Sequence, residues 1–148
     1  MNILITAAAT SHAYQLQRLL ENTDIVFLAD FVELPQVMLK DKKFIKIPAG
    51  DSSSFAHLLL TICLDQQIEK VYPLRKAEIL ALSEARQLFD EYGIKIMVPD
   101  KTQLQGLFNK GLKGKIIVKD EPKLENLPDR GVFVQDESSL DFQLFTVD

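Results

Sequence analysis

The sequence contains one cysteine, two histidines and no apolar run long enough to cross a bilayer. A lone cysteine cannot close an intramolecular disulfide. One Cys and two His are too few for a closed structural zinc site built from those residues alone. A membrane helix needs about 20 consecutive apolar residues, and no stretch approaches that. Positive charge is also in deficit, with 17 Lys+Arg against 21 Asp+Glu, a net charge of −4 and a pI near 5.2. Such a chain is a poor partner for nucleic acid, whose sequence-independent binding rests on neutralising phosphates. Met1-Asn2-Ile3-Leu4-Ile5-Thr6 has no basic region before it and does not read as a signal peptide. These absences predict a soluble cytoplasmic protein with no metal, no membrane and no nucleic-acid partner.

What is present suits a folded domain. The 148 residues are 47% hydrophobic and 26% charged, which excludes global disorder and a collagen-like chain. A chain of this size can bury roughly 68–70% of its unfolded surface, so it needs no metal or disulfide staple.

Short apolar runs at Ile3–Thr6, Ile25–Ala29, Phe44–Pro48, Lys70–Tyr72 and Lys95–Val98 predict strands covered on both faces. Helical periodicity lies between them. It runs over Ala13, Leu16, Leu19 and Leu20; over Phe55, Leu58, Leu59, Ile62 and Cys63; and over Ala81, Ala85, Leu88, Phe89 and Tyr92, with Gly93 as a C-terminal cap. Glu33–Lys40 is a weaker helical segment that can start at Pro35. Strand and helix in alternation predict βαβ units and a parallel sheet. After residue 99 the pattern changes. Asp100 to Gln103 resembles a capping box before Leu104, Leu107 and Phe108, and Gly111 and Gly114 break the helix. Ile116–Val118, Val132–Val134 and Phe142–Val147 then predict an appended antiparallel sheet. The reading is therefore an α/β domain over residues 1–99 and a helix with a β extension over 100–148.

Ligands in open parallel sheets bind at the carboxyl ends of the strands. The loop after the first strand there reads Thr6, Ala7, Ala8, Ala9, Thr10, Ser11 and His12, with no glycine to let backbone amides approach a phosphate. It can hold an anion through Thr10, Ser11 and a helix N-terminus, or it is a tight turn with Ser/Thr capping. Asp30 ends the second strand, where dinucleotide folds place a ribose acceptor. Arg75 and Lys76 enter a helix with Glu78, a grouping that suits an anionic substrate or, equally, a solvated first turn. His12 is the better placed histidine for chemistry. His57 falls beside an apolar stripe as a boundary residue, and Cys63 falls on it as a small hydrophobe.

Asn2 to Thr6, Asp30, Ile47-Pro48, Val71-Tyr72-Pro73, Glu78 to Leu82, and Tyr92 to Lys95 leading to Pro99 follow one another at a spacing that resembles the pre-ATP-grasp domain. That domain is the Rossmann-like N-terminal unit of biotin carboxylase, carbamoyl phosphate synthase and related ligases. The resemblance implies a three-layer Rossmann-like fold with a parallel sheet. It places Asn109-Lys110 at the passage into the ATP-grasp lobes, and makes Lys119 the candidate contact for a nucleotide phosphate. Two departures follow. The segment from Lys119 to Val132 is too short for the glycine-rich phosphate loop, and no acidic pair with an Asn follows to hold magnesium. The resemblance thus implies a relative of the ligases that is not an autonomous enzyme and binds a small molecule or acts as a scaffold. ATP and Mg would enter only with an ATP-grasp partner chain. A fragment of a carboxylate–amine ligase and a small Rossmann-type nucleotide-binding protein are the alternatives. Phe133, Phe142, Phe145 and Val147 keep an apolar pattern that predicts either a homodimer through the C-terminal strands or a fold-back onto the main domain.

Overall fold

Ile3, Leu4 and Ile5 have no exposed surface, as a central strand covered on both faces requires. The computed structural model describes residues 1–20, 24–33, 44–108, 111–122, 127–139 and 141–148. Five strands, β1 (Asn2–Ile5), β2 (Ile25–Asp30), β3 (Phe44–Lys46), β4 (Lys70–Tyr72) and β5 (Lys95–Ile96), form a parallel sheet in the order β3-β2-β1-β4-β5. Four helices are described: α1 (Ser11–Leu19), α2 (Phe55–Gln66), α3 (Lys76–Glu84) and α4 (Arg86–Glu91). This is a Rossmann-like α/β fold. The chain builds outward from β1 to β3, then returns to place β4 on the other side. The topological switch therefore lies between β1 and β4, where Ile5 sits opposite Tyr72.

The alternation of β1 divides the core. Leu4 faces a cluster with Phe55, Leu59 and Cys63 of α2, Ile79 and Leu82 of α3, and Phe89 of α4. Ile3 and Ile5 face Ala13 and Leu16 of α1. A second sheet, β6 (Gly114–Asp120), β7 (Arg130–Asp136) and β8 (Phe142–Leu144), is antiparallel in the order β6-β7-β8. It feeds both clusters, with Phe133 and Leu144 in the first and Val132 in the second, where Phe145, just past β8, joins it. The aromatic pattern that prompted the dimer is thus packed within the chain, Phe133 meeting Phe142 edge-on at 5.2 Å. Ion pairs fasten this sheet. Asp120 accepts from Lys70 at 3.0 Å and Lys95 at 2.9 Å, Arg86 pairs with Asp129, and Arg130 pairs with Asp90 at 2.9 Å.

Four expectations are corrected. In α2, Leu60 is buried and Leu58 is 47% exposed; leucines at 58, 59 and 60 left periodicity no basis for choosing between the flanks. The helix expected through Tyr92 breaks at Ala85 into α3 and α4, and Tyr92 stands out in solvent. Gly93 does close α4, at φ +74 with the Ile94 amide on the Phe89 carbonyl. The capping box is instead a 3-10 turn, Lys101–Gln103: the Gln103 backbone amide donates to the Asp100 carbonyl at 2.8 Å, and its side-chain Nε2 goes to the Leu127 carbonyl at 3.2 Å instead of closing a box. The last strand stops at Leu144; one further amide, that of Phe145, bonds the Val132 carbonyl of β7 at 2.9 Å, and the chain then leaves the sheet. The segment expected over Glu33–Lys40 falls almost wholly outside the described residues, as does Asn109-Lys110.

Because Phe133 is fully buried in the shared core, Phe133→Ala should cost about 3–5 kcal/mol in one cooperative transition. Urea denaturation followed by circular dichroism measures it. A loss near zero would show that the C-terminal sheet does not complete the core.

Candidate functional site

The carboxyl ends of β1, β2 and β4 meet at one point, and the chain fills it with its own bonds. Asp30 ends β2 with no exposed surface and accepts five hydrogen bonds. Arg75 gives three of them, Nε and Nη2 to Oδ1 at 3.2 and 3.0 Å and Nη2 to Oδ2 at 3.1 Å. The Phe31 amide reaches Oδ1 at 2.9 Å and the Ala9 amide reaches Oδ2 at 3.0 Å. Both carboxylate oxygens are occupied, so the ribose-acceptor role is closed to Asp30 in this state. The Arg75 guanidinium also lies over the Phe31 ring, 4.8 Å from its centre, a cation–π contact that adds to the ion pair.

The loop after β1 is spent in the same way. Its amides run inward: Ala8 to the Ala29 carbonyl at 3.0 Å, Ala9 to Asp30, and Thr10 to the Ala7 carbonyl at 2.9 Å. These are the donors a glycine-rich turn would turn toward a phosphate. Ala7 holds φ +58, a left-handed conformation that a glycine adopts without the Cβ penalty. The Thr10 hydroxyl does not cap α1; it donates to the Ala7 carbonyl at 2.7 Å. Ser11 begins α1 at the surface, and the His12 ring lies 4.9 Å from that of Phe145. Lys119 lies on β6 with its ammonium 5.0 Å from the Phe142 ring, inside the small sheet. Of the predicted residues, Ala9, Asp30 and Arg75 bond directly, and Glu78 lies one helical turn from Arg75.

Glu78 is the polar group this packing leaves unsatisfied. It occupies the third position of α3, where a capping-box glutamate reaches back to its own helix N-terminus. It is fully buried, and neither carboxylate oxygen completes a hydrogen bond. Gly50, in the loop after β3, admits it: a Cβ there would stand 2.5 Å from the Glu78 amide and 2.8 Å from its Cγ. Burial pushes the Glu78 carboxyl up to about 7. The nearby Thr6 hydroxyl, Arg75 charge and Arg75 amide oppose the rise, and the Asp30 charge adds to it.

Three roles at this site were absent from the sequence reading. Thr6 accepts the Leu74 amide at 2.8 Å and so ties the end of β1 to the segment after β4. Gly50 is the second. The third is the strap of residues 145–148: the Val147 amide donates to the Leu74 carbonyl at 2.9 Å, and Asp148 Oδ1 accepts the Lys76 amide at 2.8 Å. A glycine immediately before an Asp/Ser-rich helix entry was the available signal for Gly50. Nothing local signals the strap. Beyond Lys76, an apolar groove of about 550 Å³ runs along α3 past Leu80, Leu104 and Phe108. Among the described residues no group of three His, Cys, Asp or Glu could hold a metal ion.

No family model and no curated protein matches the chain. Solved structures similar to it include the following two. A glycinamide-RNase-transformylase T from Mycobacterium tuberculosis aligns over 80% of this chain and 38% of its own, at 15% identity and a TM-score of 0.44. A mutated uronate dehydrogenase aligns over 88% and 46%, at 14% identity and a TM-score of 0.45. The chain spans less than half the length of either.

The Glu78 carboxyl has a clear pH signature. Its pKa rises on folding from 4.5 to about 7. The folded state therefore holds this proton more tightly than the unfolded chain. Stability from this group is complete below 4.5 and is lost as pH rises through about 7, amounting to roughly 3 kcal/mol. Asp120 and Asp129 do not blur that window. Partial burial works against their ionisation, but their basic partners outweigh it and hold both below 3.8. Urea denaturation at pH 5, 6, 7 and 8 should show falling stability in the parent and a flatter profile in Glu78→Gln. Equal slopes would contradict this assignment.

Proposed function

We propose that this chain is a non-catalytic relative of the pre-ATP-grasp domain, a module that binds a small molecule or acts as a scaffold. The order of its motifs, from Asn2 to Pro99, supports the family reading. The single observation that carries the functional reading is the closed knot of Asp30, Arg75 and the Ala9 amide at the switch point. A nucleotide site needs free amides in the loop after β1 and a free acceptor at the end of β2, and here each is bonded to the other. Phosphoryl transfer further depends on charge neutralisation and in-line positioning of the phosphates. Lys119, the one candidate for a phosphate contact, is stacked on Phe142 instead. ATP and Mg would then belong to a partner chain, if they enter at all, and the scaffold role would be to present the α/β face to it.

Calorimetry with Mg-ATP should show no micromolar binding to the purified chain, and a phosphate-release assay should show no turnover. Micromolar affinity, or hydrolysis that copurifies with the chain through successive columns, would overturn the reading.

A further inference from the structure

Residues 145–148 cross the switch point from one helix to the other. Phe145 is buried and packs its ring on His12 in the first turn of α1. Val147 bonds the Leu74 carbonyl, and the Asp148 carboxylate is seated on the Lys76 amide at the start of α3. No side chain of α3 caps that end. The cap comes from 72 positions away. A helix N-terminus favours negative charge, because its first amides are unpaired and its dipole is positive there. The same turn contains Glu78, fully buried with neither carboxylate oxygen in a hydrogen bond, so the chain's own packing leaves this side chain at the α3 N-terminus without a hydrogen-bond partner.

We infer that the strap is a displaceable internal ligand: Asp148 occupies the receiving point for a small oxyanion at the α3 N-terminus and competes with it. This rests on the binding-module reading above and specifies the ligand class and the control of that site. A monohydrogen phosphate group, free or carried on a small molecule, presents an acceptor to the Lys76 amide and an O–H donor toward Glu78. Asp148 supplies only the acceptor. The strap is suited to release. Past Phe145, whose amide bonds the Val132 carbonyl of β7, it belongs to no strand; Asp148 is exposed, and the anchors are one buried ring and a few hydrogen bonds. A ligand that takes the amide shifts the strap by mass action, and a weaker strap raises the apparent affinity by the same factor.

Inorganic phosphate is the probe, titrated into the full chain and into Asp148→Ala with amide resonances followed by NMR. Asp148→Ala removes the competing carboxylate and leaves Phe145 and Val147 in place, so the fold is retained. The expected result is an affinity for phosphate at least about 3-fold higher in Asp148→Ala, with the Lys76 resonance among the most shifted. In the parent, phosphate should also speed hydrogen exchange at the Val147 amide. Equal affinities, no phosphate binding by either protein, or shifts that spare Lys76 would each overturn the inference. None of these outcomes bears on Mg-ATP, so the non-catalytic reading stands or falls separately.

Discussion

The pairing of Asp30 with Arg75 is the constraint on which the ligand end of this molecule depends. A carboxylate with no exposed surface is costly to bury unless paired and fully hydrogen-bonded, and this one meets both conditions. Arg75 supplies the planar fork that a carboxylate accepts from two sides. The two remaining bonds come from Phe31 next door and from Ala9 across the β1 loop. One side chain thus fixes the loop after β1, the exit of β2 and the entry to α3. Removing it would free three elements at once.

The consequences run outward from that knot. The Ala9 amide reaches Asp30 only if the loop turns sharply, and Ala7 at φ +58 makes the turn. Thr6 then meets the Leu74 amide, which sets where α3 begins. Once α3 begins there, its third residue, Glu78, is driven inside against Gly50. That leaves one end of the switch crevice saturated with internal bonds. At the other end the cap is borrowed from residue 148. The two ends of the crevice are therefore closed in different ways, one from within the α/β unit and one from the C-terminal segment.

Much of this was legible in the sequence, and the limits are physical. Uninterrupted apolar runs such as Ile3 to Ile5 announce a buried parallel strand, and the alternation with helices gives the sheet its parallel sense. Gly93 was legible because a helix end needs one left-handed residue. Asp30 was also visible as a charged residue at a strand end, and Arg75 and Glu78 as charged residues at a helix entry. Their roles were not, since a charge that faces a ligand and a charge that faces a partner 45 positions away look alike in one dimension. The strap was invisible for a related reason: Phe142 to Val147 has strand composition throughout, yet β8 stops at Leu144 and the Val147 amide turns to the Leu74 carbonyl instead of to β7. In α2, three adjacent leucines made the buried face ambiguous by about one residue.

The most direct test of this account is the coupling between Asp30 and Arg75, measured as a double-mutant cycle of Asp30→Asn, Arg75→Met and the pair by urea denaturation. If the knot organises the site, each single change leaves a buried partner uncompensated and costs about 3–5 kcal/mol. The double change should then cost little more than either single one, a coupling of about 2 kcal/mol or more. Costs that simply add would show that the two residues are held independently, and the account of the ligand end would be wrong.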